Sequence, residues 1–504
     1  MIKSARFIHL CLAAFFAAVA IPEIHAMNPS EQRPNIIFFM TDDQGWGDLG
    51  CYGHPVIQTP NLDRFAAEGA LFTDFHAASA VCSPARAAML TGRTPYRNGQ
   101  YTIHFGKGET PYLRTSEVTL PAQLKQAGYA TCHVGKWHLG FLDGTHGHPT
   151  PADHGYDHWF ATKSNAEPDH LNPTNFIRNG EPCGEIEGNS VGIVVDEAID
   201  WLENAKPAEA PFFITVWPHE PHTPIGTEAR FSRPYIEQGI DPHDADYFGN
   251  ITQIDAAFGR LMDYLEANGL AENTLVLFTS DNGPAWDPKC LERVRQSAGY
   301  HRGTKAWMYE GGHRVPGLIR WPGVVPAGAV SHETIVHTDL FPTVHEIVGL
   351  EPPPDRVIDG RSILPVLRGG AMPEPERPLY WRYQGADGQI KVAYREGDWV
   401  LLADADLDYC ELYNLAEDWQ QRDNLVYEES ERFADMKPRM VALHKEIEKD
   451  GPNEWWRENP DPLVPWKQRS VEGITRHLLG LRPEPRPAPY PAERWPGTTA
   501  GERR

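Results

Sequence analysis

A chain of 504 residues with 41% hydrophobic and 11% aromatic side chains can bury a sizeable core, which excludes a mainly disordered protein; at roughly 100–200 residues per domain it holds several domains or one large α/β core with an appendage. Its 46 Lys and Arg against 69 Asp and Glu leave a formal charge of −23, which argues against nucleic-acid binding, a function that needs a basic face. A few Arg and Lys can still build a locally positive cleft for an anionic substrate.

Residues 1–26 read as a secretory signal peptide. Lys3 and Arg6 precede the apolar run from Phe7 to Ile21, and Ile24-His25-Ala26 offers a cleavage site. The run is short for a spanning helix, and no other segment is apolar enough to span. The expectation is an exported protein, periplasmic or secreted, with no membrane span once the segment is removed. Of the seven cysteines, Cys11 leaves with it. Cys51, Cys82, Cys132, Cys183, Cys290 and Cys410 contain no C-x-x-C pair, so neither a zinc ribbon nor a thioredoxin-like motif is supported, and no disulfide pairing is assigned.

Asn35-Ile-Ile-Phe-Phe-Met40 is a short, nearly continuous apolar run, as expected of a strand buried on both faces. Thr59-Pro60 opens a helix whose Leu62, Phe65 and Ala66 share a face, with Gly69 to close it. A short helix is expected from Pro84 to Thr91, and another around Leu120 and Leu124, followed by a strand at Tyr129–Val134. A helix around Val194–Leu202 precedes the strand Phe212–Trp217. A long helix carrying Ile251, Ile254, Phe258, Leu261 and Leu265 leads to the strand Leu275–Thr279. Strands alternating with helices imply a doubly wound, mostly parallel α/β sheet flanked by helices. Beyond Leu367, short antiparallel strands at Leu379–Tyr383, Ile390–Tyr394, Trp399–Ala403 and Glu411–Asn414, then a helix at Ser430–Lys449, read as a smaller α+β subdomain. The resulting division is a catalytic domain at 27–370, the antiparallel-sheet subdomain at 371–450 and a Pro-rich extension at 451–504.

Ligands of an open α/β sheet collect beyond the carboxyl ends of its strands. Those ends carry Asp42-Asp43, Asp281-Asn282, Lys136-Trp137-His138 and His219-Glu220-Pro221-His222. Asp42, Asp43, Asp281 and Asn282 offer only oxygen donors, which select Ca²⁺ or Mg²⁺ over zinc. Cys82 stands at the mouth of a helix, where free N–H groups and the macrodipole favour anions. Arg86, four residues on, shares its face.

These stretches together resemble the formylglycine-dependent type I sulfatases of the alkaline phosphatase superfamily. The matching segments are Thr41-Asp-Asp-Gln-Gly-Trp-Gly-Asp48, Cys82-Ser-Pro-Ala-Arg86, Gly135-Lys-Trp-His-Leu-Gly140, Pro221-His-Thr-Pro224, Ser280-Asp-Asn-Gly283, and Gly303-Thr-Lys305 with Glu310-Gly-Gly312. The resemblance runs from about residue 34 to about residue 450 and implies an alkaline phosphatase-like fold. It implies that a maturation enzyme oxidises Cys82 to formylglycine, whose hydrate attacks sulfur and forms a sulfo-enzyme intermediate. One Ca²⁺ per chain, with Mg²⁺ the alternative, would be held by Asp42, Asp43, Asp281, Asn282 and the modified Cys82. Arg86 and Lys136 would steady the nucleophile. His222, with Lys305, would protonate the leaving oxygen, and His138 would take the proton that releases sulfate. His219 is expected to orient a neighbour and His154 to support the fold. The expected substrate is a sulfated carbohydrate, desulfated by exo action on oligosaccharides, with Trp286 a candidate platform for the sugar. The rival reading is a phosphodiesterase or phosphonate monoester hydrolase of the same superfamily.

Overall fold

Ile36, Phe38 and Met40 face one side of the strand Asn35–Thr41, Ile37 and Phe39 face the other, and all five are buried. Because side chains alternate along a strand, this one run feeds two separate apolar cores, one on each face of the sheet. One core is closed by the helices Pro60–Glu68, Ser190–Asp200 and Pro242–Ala267, and the other by Cys82–Thr91, Leu120–Gln126 and Leu340–Val348. The structure, a computed structural model, describes residues 33–103, 111–143, 145–372 and 377–451. The expected signal peptide at 1–26 and all but the first residue of the extension at 451–504 lie outside the described residues.

Among the described residues the main sheet has ten strands. At its centre Thr274–Ser280, Asn35–Thr41, Phe212–Trp217 and Ala130–Lys136 lie side by side and parallel. His158–Thr162 adds a fifth parallel strand next to Ala130–Lys136. On the other flank Gly317–Arg320 runs antiparallel to Thr274–Ser280. The doubly wound, mostly parallel sheet is therefore as expected. Register does the rest: Thr41 pairs with Ser280 and Gly135 with Trp217, so the chemistry-bearing strand ends finish at one level. Gly135 is needed there, since it has φ +109° and a Cβ on it would sit 2.0 Å from the Trp217 carbonyl oxygen.

A separate antiparallel sheet is built from Leu379–Arg382, Val392–Glu396, Trp399–Ala403 and Cys410–Asn414, followed by the helix Ser430–Asp450. It does not have a wholly private core. Trp381, Val400 and Leu402 pack with Ala80, Val81 and Ala88 around the start of the Cys82 helix. The Trp381 indole donates to the Ala77 carbonyl at 2.8 Å and stacks on His313. Arg395 reaches from this sheet to grip both oxygens of Asp74, at 3.1 and 2.7 Å. Glu310, paired with Arg314 at 2.9 Å, lies in the same buried group. Burial would raise the Glu310 carboxyl, but His76, Arg395 and Arg314 hold it down at about 2.

The helix from Ser190 ends in a π turn, Trp201–Ala205. The Cys82 helix starts two residues before the expected Pro84, because Val81 is extended and the first-turn N–H groups need no intrahelical partner, so a proline third in the helix is tolerated.

Replacing Arg395 with Met would leave Asp74 buried without its bidentate partner. A loss on the order of 3–5 kcal/mol is expected, read from urea unfolding at neutral pH. Glu310 also loses part of the positive charge that holds its carboxyl at about 2; such a carboxylate contributes stability above its ordinary pKa of 4.5 and loses it as pH falls towards 2. Arg395→Met should therefore also move the acid-unfolding midpoint to higher pH.

Candidate active site

Parallel register places Asp42 beside Asp281, and local hydrogen bonds lock the two strand ends. The Asp281 N–H donates to the Thr41 carbonyl at 3.1 Å and the Asp43 N–H to Asp281 Oδ1 at 3.2 Å. The Asp42 N–H donates to the Glu220 carbonyl at 3.0 Å, tying in the end of Phe212–Trp217. Asp43 has a left-handed backbone, φ 65°. The turn after Asn282 needs a glycine, since a Cβ on Gly283 would meet the Gly311 carbonyl oxygen at 2.0 Å. This is how Ser280-Asp-Asn-Gly283 docks on Glu310-Gly-Gly312.

One ligand atom from each of Asp42, Asp43, Cys82 and Asp281 lies within 4.8 Å of the others, and all four residues are buried. Cys82 Sγ is 3.5 Å from Asp42 Oδ1 and 3.9 Å from Asp43 Oδ1. Asn282 donates through Nδ2 to Asp43 Oδ1 at 2.8 Å, while its buried Oδ1 has no hydrogen-bond partner. Buried carbonyl oxygens are rarely left so. With three carboxylates beside it, this orphan completes an oxygen donor set that fits a hard divalent cation.

Three cations meet the carboxylates. Arg86, fully buried, donates to Asp281 Oδ2 from Nε at 3.0 Å and Nη2 at 2.6 Å, and to the Lys136 carbonyl from Nη1 at 3.1 Å. Its guanidinium also lies 5.2 Å over the Trp217 ring. Lys136 Nζ is 2.5 Å from Asp42 Oδ2, and Lys305 Nζ is 2.6 Å from Asp43 Oδ1. Burial would raise Asp42, but Lys136, His222, Arg86 and Lys305 outweigh it and hold the carboxyl well below its usual range. Asp281 goes the other way: burial and the neighbouring Asp42 push it up to about 6 despite Arg86. Two carboxylates this close resist sharing negative charge, and a bound dication would relieve them. Burial and Asp281 push the Cys82 thiol well above its usual value.

His222 closes the site on the outside. Its Nε2 is 3.5 Å from Asp43 Oδ2, its Nδ1 is 2.6 Å from the Thr223 carbonyl, and its side chain is 20% exposed. Burial, aided by Lys305, lowers its pKa against the pull of Asp43. His138 is buried, left-handed at φ 58°, and its N–H donates to the Lys163 carbonyl. His219 does not enter the cluster: its ring is held between Thr162 Oγ1 and Ser190 Oγ, both at 2.6 Å. His154 lies against the Leu113 carbonyl at 3.1 Å. Trp286 is half-buried.

Asn165 takes a place that the sequence marks only by its loop. Its Oδ1 is 3.5 Å from Lys136 Nζ, and its Nδ2 is 3.2 Å from both His222 Nδ1 and the Thr223 carbonyl. It bridges the groups on either side of the site. The pointer to it is the apolar run Trp159-Phe-Ala161, a strand next to Ala130–Lys136 whose end must also face the ligand.

The family model described as Sulfatase matches residues 34–350, and that described as N-sulphoglucosamine sulphohydrolase, C-terminal, matches 299–450. The chain is 38% identical over 382 residues to N-acetylgalactosamine-6-sulfatase of Canis lupus familiaris, covering 70% of this chain and 69% of the relative. It is 35% identical over 399 residues to arylsulfatase G of Mus musculus, covering 71% and 73%. Among solved structures it superposes on Ps i-CgsB in complex with k-i-k-neocarrahexaose with a TM-score of 0.74 and 25% identity, over 87% of this chain and 99% of that one.

Asp281→Asn keeps the shape of the site but removes one anionic ligand and weakens the grip on Arg86. Ca²⁺ affinity, read by calorimetry on the folded protein, should fall by at least about tenfold.

Proposed function

The chain belongs to the sulfatase family and hydrolyses sulfate esters, and we propose that it does so with Cys82, converted to formylglycine, on the terminal sulfated sugar of an oligosaccharide. The observation that carries this reading is the setting of Cys82. Cys82 opens a helix with its sulfur 3.5 Å from Asp42 Oδ1 and 3.9 Å from Asp43 Oδ1, among neighbours that offer a cation only oxygen donors. An oxygen nucleophile suits these surroundings better than a thiol. Hydrated formylglycine would supply that hydroxyl, and Ca²⁺, or Mg²⁺ in its place, held by Asp42, Asp43, Asp281 and Asn282, would supply the positive charge that offsets a sulfate group.

The remaining roles fall to the chain itself. Lys136 and Lys305 present ammonium groups on two sides of the carboxylate cluster, positioned to hold sulfate oxygens and steady charge that grows during transfer. Arg86 spends both nitrogens of its fork on Asp281 and so fixes a metal ligand as well as adding charge. His222 directs Nε2 inward, with Nδ1 against the Thr223 carbonyl, and is the group placed to hand a proton to the leaving alcohol. His138 is assigned the proton transfer that frees sulfate. Exo action is supported by depth: Cys82, Arg86, Lys136 and Asp281 are buried, while the His222 and Lys305 side chains are 20% and 17% exposed. A chain end can enter such a pocket more readily than the middle of a polymer. The names of the relatives support a sulfated sugar. The apolar run near the N-terminus supports export, and maturation requires a formylglycine-generating enzyme.

Peptide mass spectrometry of active protein should find an aldehyde at Cys82; full activity with the thiol intact would overturn the nucleophile. Lys136→Ala should lower kcat by a factor on the order of 10²–10³. His222→Ala should slow sulfated sugars far more than aryl sulfates, whose leaving groups need little protonation. Equal losses on the two would remove His222 from the acid role. Kinetics on matched oligosaccharides, intact polysaccharide and a phosphodiester decide the substrate: preference for the polymer overturns exo action, and preference for the phosphodiester moves the chemistry to the rival class.

A further inference from the structure

Among the described residues, two groups of metal-ligating side chains lie apart from the active site. His76, Glu310 and His313 are fully buried and already neutralised by Arg314 and Arg395, so that group has neither unbalanced negative charge nor access from solvent. His243, Asp287 and Cys290 differ on both counts. Each offers one ligand atom, a ring nitrogen, a carboxylate oxygen or a thiol sulfur, and the three lie within 4.8 Å of one another. They come from two segments: His243 from the first turn of the helix Pro242–Ala267, and Asp287 and Cys290 from the stretch that follows Gly283.

We propose that His243, Asp287 and Cys290 bind one thiophilic divalent cation of the zinc class, with water as the fourth ligand. A mixed nitrogen, oxygen and sulfur set selects such an ion and rejects the hard cations that suit the active site. The site is accessible, since the His243 side chain is 46% exposed and that of Asp287 21%. His243 Nε2 is 2.7 Å from Asp287 Oδ2. The edge of a zinc tetrahedron with N and O ligands is roughly 3.3 Å, so the pair need only open by about half an ångström.

Charge closes the argument. Arg293 donates to Asp287 Oδ2 at 2.6 Å and to Asp244 Oδ1 at 3.0 Å. With the thiolate, Asp244 and Asp287 make three negative charges, and Arg293 with a dication makes three positive ones. On binding, the Cys290 S–H bond breaks, a sulfur–metal bond forms and one proton leaves to solvent. For Nε2 to bind the metal, the proton of the neutral ring must sit on Nδ1. Cys290 is in no disulfide, so its thiol is available. Asp287 and Cys290 lie on the stretch between Asn282 and Lys305, whose N–H is itself held by the Pro284 carbonyl. An ion here would fasten that stretch to the long helix.

The test uses full-length Cys82→Ala protein saturated with Ca²⁺, so that the active-site cluster carries no thiol, titrated with Co²⁺. One equivalent should bind with tetrahedral visible bands, a thiolate-to-cobalt charge-transfer band and release of one proton. Adding Cys290→Ser should abolish the charge-transfer band, and adding His243→Ala, at a half-exposed position that folding does not depend on, should weaken binding by about tenfold or more. In matured protein, Cys290→Ser alone should leave aryl sulfate turnover in place. Absence of the band, or its survival in both variants, overturns the site.

Discussion

Three carboxylates buried within one cluster cannot all stay ionised without positive charge beside them, and everything else in the active site follows from how that repulsion is met. Arg86, Lys136 and Lys305 each contact a different carboxylate: Asp281, Asp42 and Asp43. The compensation is uneven. Asp42 is held well below its usual range, while Asp281 sits at about 6 even with a guanidinium against it. The site thus retains an unmet demand for positive charge at Asp281 and at the orphaned Asn282 Oδ1. A divalent cation would meet that demand, and with the two lysines it would make the site attractive to a sulfate group.

Holding so many like charges together requires a rigid frame, and the fold provides it from two directions. Parallel register brings four strand ends to one level, so the carboxylates and Lys136 are set by sheet geometry rather than by loops. From the other direction, the antiparallel sheet buttresses the segment that delivers Cys82. Trp381 holds the Ala77 carbonyl, Arg395 grips Asp74, and Val400 and Leu402 pack on Val81 and Ala88. The Ala306 N–H, one residue past Lys305, donates to the Ala80 carbonyl, and the Asp387 N–H donates to Ala306. The Cys82 segment and the Lys305 loop are therefore joined to each other and to the C-terminal sheet.

The parts legible in the sequence are those in which local pattern and tertiary role agree. The run Ile36–Met40 is apolar on both faces because both faces are buried, and Asp42-Asp43 directly after it can only lie at the carboxyl edge of the sheet. The same logic places Asp281-Asn282, Lys136 and Cys82. Less legible are contacts whose partners are distant in sequence and whose own segment has no marked pattern. Asn165 sits in a polar loop after a strand of five residues, and nothing local distinguishes it from the other asparagines of that loop. Only the resemblance of Pro221-His-Thr-Pro224 separates His222 from His219 in the sequence; what separates them physically is distant, since one ring is captured by Thr162 and Ser190 and the other reaches Asp43. The start of the Cys82 helix is earlier than its proline suggests, because a proline in the first turn removes an N–H that has no intrahelical partner.

A chain of net charge −23 repels a polyanion at long range, yet its active site is built to accept a sulfate. The two statements are compatible because they act over different distances. At 0.1 M salt the repulsion of surface charges decays over roughly 10 Å, while the lysines are buried among low-dielectric walls where their interactions are screened far less. Attraction is therefore felt only by a group that has already entered the pocket. A long polyanion lying across the surface keeps most of its charge within reach of the acidic exterior and gains contact with the lysines through one sulfate at a time. A short chain end carries less charge past that exterior for the same gain inside. The sign of the surface and the depth of the site thus act in the same direction, and that is the physical basis of the proposed preference for terminal sugars.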